Sequence, residues 1–139
     1  MEPMTDTSGS CLCGAVRFTV SGPLGNVSYC HCSQCRKTSG HFVAAVDCSP
    51  ADLQLLEDKG LRWFRSSAIA QRGFCEYCGS SLFWRPEHGS HVSIMAGALD
   101  VPTGLQADEH IFVGDASDYY LIDDGLPQFS GDSHREGEA

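Results

Sequence analysis

The segment "YCHCSQCRKTSGH", residues 29–41, places Cys30, Cys32 and Cys35 within six residues. Three thiols so close can belong to a disulfide framework, to a corner of a closed metal site, or to a metal whose fourth position is kept for a substrate. Two further clusters, Cys11-x-Cys13-Gly14 and Cys75-x-x-Cys78-Gly79, and a lone Cys48 complete the eight cysteines. In a CxxCG knuckle the turn lets two thiolates converge on one ion, and the glycine supplies the positive φ that closes it. Several such clusters in one small chain favour zinc over a redox pair.

Coordination number then divides the thiols. Structural zinc takes four closed ligands, whereas reactive zinc takes three and keeps one position open. Cys11, Cys13, Cys75 and Cys78 come from distant parts of the chain and are expected to form the structural site, while Cys30, Cys32 and Cys35 form a tripod. The expectation is two zinc ions per chain. Two alternatives stand beside it: Cys48, His31 or His41 closes the tripod into a second inert site, or the thiols hold an iron–sulfur cluster, although their spacing matches no ferredoxin run. Cys48 follows the apolar "HFVAAVD" and reads as a small buried residue. Three anionic sulfurs more than cancel the charge of zinc, so a water bound there is less acidified than on a three-histidine zinc. A soft thiol suits the vacant corner better, and as a thiolate it attacks an electrophilic carbon.

The elements that must position these thiols read as mainly β. In "AVRFTV" the residues Val16, Phe18 and Val20 alternate with Arg17 and Thr19, the period of a half-buried strand. "HFVAAV" and "LRWF" are short, rich in branched or aromatic residues, and bounded by turn formers. "FCEYCGSSLFW" reads as a strand, a metal-binding turn and a returning strand, and "HVSIMAGAL" and "HIFV" add two more strands. Only "SPADLQLLEDKG" carries helix signals, with Ser49 as N-cap and Pro50 at the first position, over a short helix or an extended strand entry. The fold class expected is a small zinc-stabilised β-sheet domain with many turns, consistent with 15 Gly and 6 Pro. Its boundaries are read as a flexible lead-in over residues 1–9, one zinc-binding β domain over 10–129, and a flexible tail over 130–139.

With 139 residues the chain fits one domain, and no apolar run reaches the roughly 18 residues a membrane span requires. The N-terminal "MEPMTDTSGS" has acidic residues and no apolar core where a secretory signal needs the reverse, so the expected location is the cytoplasm, where thiols stay reduced and available to metals. A net charge of −9 opposes both nucleic acid and an anionic membrane surface as partners.

Taken together, "GSCLCGAVRF", "YCHCSQCRKTSG", "FCEYCGSSLFW" and "HIFVGDASDYYLIDDGLPQF", spanning residues 9–129, resemble the glutathione-dependent formaldehyde-activating enzyme / centromere protein V family. The resemblance implies a carbon–sulfur lyase that joins glutathione to formaldehyde, giving S-(hydroxymethyl)glutathione. It also implies that Cys11, Cys13, Cys75 and Cys78 are structural zinc ligands and that Cys30, Cys32 and Cys35 are catalytic zinc ligands. The rival class is a non-catalytic zinc-stabilised binding module.

Glutathione carries two carboxylates, so an acidic protein needs local cations to hold it. Arg36 and Lys37, directly after Cys35, are best placed, and Thr38, Ser39 and Gly40 offer further donors in a polar turn. His31 and His41 flank the tripod, where a proton shuttle is one reading and a neutral solvated imidazole the plainer one. Trp63, Phe64, Phe83 and Trp84 are expected in the core or on half-buried strands. No role follows for His110, Tyr119 or Tyr120, and the sequence leaves the oligomeric state open.

Overall fold

The computed structural model describes residues 6–132 and is mainly β, with ten strands and one α-helix among the described residues. These residues fall into two compact units, one of 6–25 with 46–105 and one of 26–45 with 106–132. The division is invisible in composition because both units are built of short strands around a cysteine cluster. No helix among the described residues is long and apolar enough to cross a membrane.

The first unit holds two antiparallel arrays. Strands β1 (Thr7–Ser10), β2 (Arg17–Val20) and β5 (Leu53–Glu57) pair in the order β1-β2-β5. Strands β6 (Leu61–Arg65), β7 (Ala70–Cys75), β8 (Ser81–Pro86) and β9 (Val92–Met95) form a meander of neighbours. The alternation read in "AVRFTV" is observed: Phe18 and Val20 are buried and Arg17 is exposed. Phe18 meets Phe83 of β8 edge to face at a centroid separation of 5.1 Å, the centre of a core that includes Val16, Leu82, Ile94 and Leu99. Gly9 permits the closest approach, since a Cβ there would run into the Phe18 ring and the carbonyl of Ala98. β1 begins at Thr7, inside the stretch expected to be a flexible lead-in, because its polar residues pair with β2. Residues 1–5 lie outside the described residues.

Sequence signals for "SPADLQLLEDKG" are only half expressed. Ser49 caps Ala51 and Pro50 opens a helical turn, but it is a single 3₁₀ turn over Pro50–Asp52, and β5 takes the rest. Pairing with β2 outweighs a helix too short to be stable alone. Phe64 also departs from expectation, being 60% exposed on β6, whereas Phe83 is buried and Trp63 and Trp84 are half-buried.

In the second unit, β3 (Val27–Cys30) pairs antiparallel with the first residues of β4 (Val43–Cys48) and parallel with β10 (Ala107–Ile111). Helix α1 (Ser33–Ser39) connects β3 to β4. The backbone of His110 on β10 bonds in turn to Pro127 and Phe129, which adds a bridge at Gln128 beside β10. The carbonyls of Ser130 and Gly131 accept from Gly114 and Phe112. Residues 133–139 lie outside the described residues.

Candidate metal centres

Two local turns build the first cluster. Cys11 ends β1 at a tight turn in which its amide bonds to Val16 O and Gly14 sits at φ 85°. Cys75 ends β7 at a second turn, closed by a 2.8 Å bond from Gly79 N–H to Cys75 O with Gly79 at φ 80°. Both glycines hold the left-handed conformation that a side chain would strain. Ser80 ties the turns together: its hydroxyl accepts from the Leu12 amide at 3.0 Å and lies 3.2 Å from the Cys78 sulfur.

The four sulfurs of Cys11, Cys13, Cys75 and Cys78 lie within 4.8 Å of one another, with Cys11–Cys13 and Cys13–Cys75 both at 3.7 Å. A tetrahedron of sulfurs around zinc, with Zn–S near 2.3 Å, has edges of about 3.8 Å. The donor set therefore fits a tetrahedral thiophilic ion. Its electrostatics are uneven: hydrogen bonds from the Ser80 hydroxyl and amide draw Cys78 down to about 5. Cys13 is pushed up to about 11, the Ala15 amide lowering it less than burial and the neighbouring sulfurs raise it. Lys59 lines the same 390 Å³ hollow as Cys13.

The second cluster, Cys30, Cys32 and Cys35, also lies within 4.8 Å. Cys30 closes β3, and Cys32 is the N-cap of α1, its sulfur accepting from the Cys35 amide at 3.3 Å. Cys35 is buried one turn into the helix. Helix α1 overturns the polar turn expected at residues 38–40: Thr38 and Ser39 donate back to Gln34 and Cys35 carbonyls, and Gly40 is the left-handed C-cap. The thiols of Cys30 and Cys35 draw Cys32 down to about 2, and Cys32 and Cys35 with burial push Cys30 far above its usual range. So crowded a set ionises fully only around a cation, and this too fits a thiophilic metal.

No fourth His, Cys or carboxylate joins this cluster among the described residues. Cys48 stands outside both clusters and is half-buried rather than buried; burial and then Asp52 and Asp47 push its thiol up to about 11. Arg36 lies half-buried on α1, its Nε–H donating to Asp115 O at 3.0 Å, and Lys37 beside it is exposed. His41 is exposed, with Nδ1 2.5 Å from the Tyr119 hydroxyl.

His31 is not the solvated imidazole that the sequence suggests. It is 0% exposed and bonded at both nitrogens, with Nδ1 2.5 Å from the Tyr120 hydroxyl and Nε2 2.8 Å from His110 Nδ1. His110 Nε2 continues to Asp124 Oδ2 at 2.8 Å, and Asp124 Oδ1 accepts from the Leu126 amide. Burial, followed by His110 and His41, lowers the His31 pKa, while the His110 hydrogen bond lowers that of Asp124. The rings of Phe42, Tyr29 and Tyr120 pack around this chain. The one sequence clue to His31 was its alternation with Cys30 and Cys32 on an extended segment; partners 79 and 89 residues away leave no local signal.

The fold and sites define a small β protein with one four-thiol and one three-thiol cluster, each able to hold a metal ion. It belongs to the glutathione-dependent formaldehyde-activating enzyme family, whose model matches residues 6–115. An uncharacterized lyase of Schizosaccharomyces pombe is 25% identical over 130 residues, 93% of this chain and 94% of its own. A Halomonas elongata protein, named provisionally as a glutathione-dependent formaldehyde-activating enzyme, is 35% identical over 101 residues; the match spans 66% of this chain and 64% of that one. The crystal structure of a Rhodobacter sphaeroides protein has the same fold, with a TM-score of 0.57 at 19% identity over 87% of this chain and 98% of the other.

Proposed function

We propose that the chain is a zinc-dependent carbon–sulfur lyase working in the thiol-adding direction in the reducing cytoplasm, with glutathione as the thiol and formaldehyde as the aldehyde. Two zinc ions per chain fit the two clusters: Cys11, Cys13, Cys75 and Cys78 close around a structural ion, and Cys30, Cys32 and Cys35 hold the second. The observation that carries the reading is the three-sulfur count of the second cluster, with the adjacent His31 engaged at both nitrogens. The family match and the lyase and formaldehyde-activating names of the relatives support the reaction class.

Zinc, when bound there, would supply a thiophilic position that favours an incoming thiol in its thiolate form. Arg36, tethered to the Asp115 carbonyl, and Lys37 offer the carboxylates of glutathione local cations in a chain whose net charge is −9. The thiolate sulfur forms the new C–S bond to the aldehyde carbon, the carbonyl π pair moves to oxygen, and that oxygen regains the proton the thiol gave up.

Cobalt substitution tests the reading. Glutathione added to the cobalt protein exchanges an oxygen ligand for sulfur and shifts the visible absorption of one of two ions. Spectra that stay unchanged at millimolar glutathione, with both ions bound, replace the enzyme with a zinc-stabilised binding module.

A further inference from the structure

The hydrogen-bonded chain from Tyr120 to Asp124, buried at its two histidines, is not used by the thiol-adding reading, yet it runs through His31, the residue between two tripod cysteines. Its direction can be worked out from donors and acceptors. The carboxylate of Asp124 only accepts, so His110 donates from Nε2. With both imidazoles neutral, His110 Nδ1 must then accept, His31 must donate from Nε2, and His31 Nδ1 must accept from the Tyr120 hydroxyl. Each ring is held in a single tautomer, and reversing any one bond breaks another.

We propose that His110 and Asp124 are positioning residues: acting through His31, they fix the segment that carries Cys30 and Cys32, so that how tightly the tripod holds its ion is set from the C-terminal part of the chain. The inference rests on the reading of the tripod as a metal site. Backbone geometry supports it independently of the side chains. The amide of His31 donates to Ile111 O at 3.0 Å, and Cys30 pairs with Ile111 in the parallel ladder, so β10 carries His110 on the strand that braces Cys30. Asp124 is itself fixed, because both of its oxygens accept hydrogen bonds. A ring bonded at both ends removes rotational freedom from the residue between two ligands, and thiols preorganised in this way lose less entropy when they close on an ion.

Nitrogen-15 long-range spectra of the imidazoles at mildly alkaline pH, recorded on metal-free and zinc-loaded protein, read the tautomers directly. His31 and His110 should both appear as the Nε2–H form. In Asp124→Leu, His110 should become a mixture of tautomers. A chelator should then extract the tripod ion about tenfold faster or more, with the four-thiol ion unaffected. Asp124→Asn keeps an acceptor oxygen and should stay within about threefold of wild type, which packing alone does not explain. If Asp124→Leu fails to fold, Asp124→Ala takes its place, with the same rise in release expected because it too removes the acceptor of the His110 hydrogen bond. The opposite tautomers in wild type, or unchanged release in the folded variant that lacks the acceptor oxygen, overturn the inference. A wild-type tripod that takes up no ion overturns the reading of the site as well, so the two failures are distinguishable.

Discussion

Replacing Gly60 with alanine tests the four-thiol site through a residue that ligates nothing. Gly60 lies in the turn between β5 and β6, where its amide donates to Ala15 O at 3.1 Å and its carbonyl accepts from Glu76 N–H at 2.8 Å. A Cβ at this position would stand 2.8 Å from Ala15 Cβ and 2.9 Å from the Cys75 sulfur. Ordinary contact begins near 3.4 Å, so the sulfur or the turn must retreat by about half an ångström. Cys75 is fully buried, and metal–sulfur distances tolerate only about 0.2 Å. Overpacking of this kind costs about 1–3 kcal/mol, which lowers Tm by roughly 3–12 °C for a chain of this length. Weaker holding of the four-thiol ion adds to the loss. Gly97→Ala is the control, because the space around Gly97 is open. Thermal unfolding and timed chelator extraction on the two variants give the answer. A Gly60→Ala protein matching Gly97→Ala in Tm and in the release of both ions would refute the packing of this turn against Cys75.

The two clusters should differ in what their loss does. Cys75→Ser should unfold or precipitate the chain, since structural zinc contributes roughly 10–16 kcal/mol of apparent binding energy, whereas Cys35→Ser should stay folded with one ion and Cys48→Ser should keep both, as elemental analysis and circular dichroism will show. Arg36→Ala combined with Lys37→Ala should weaken glutathione roughly tenfold while leaving uncharged mercaptoethanol nearly unchanged, and equal losses in a cobalt titration would remove these side chains from the thiol site.

What could be read from the sequence was what is local. The knuckles at Cys11 and Cys75 are set by spacing and one glycine each, and the alternation in β2 reports a buried face directly. Helix α1 escaped because it is seven residues long and its N-cap is a cysteine, Cys32, a residue that caps rarely enough to carry no signal. The single turn at Pro50 shows the opposite failure, a legible start overridden by the pairing of β5 with β2. Least visible was the chain through His31, whose partners are brought in by the parallel pairing of β10 with β3. Such pairing joins residues 80 positions apart on the strength of backbone hydrogen bonds alone, and these leave no imprint on side-chain pattern.

The threading of the second unit, out at residues 26–45 and back at 106–132, also orders events on the ribosome. The four-thiol site is complete once Cys78 has emerged, but Cys30, Cys32 and Cys35 emerge long before β10 and Asp124. At about 5–20 residues per second, the 89 positions between Cys35 and Asp124 amount to roughly 4–18 seconds. Throughout that interval three adjacent thiols lack their parallel strand and the histidine that braces them. The nascent protein thus acquires its two metal-holding capacities in sequence, and its exposure to stray oxidants and competing metals is concentrated in the tripod before synthesis ends.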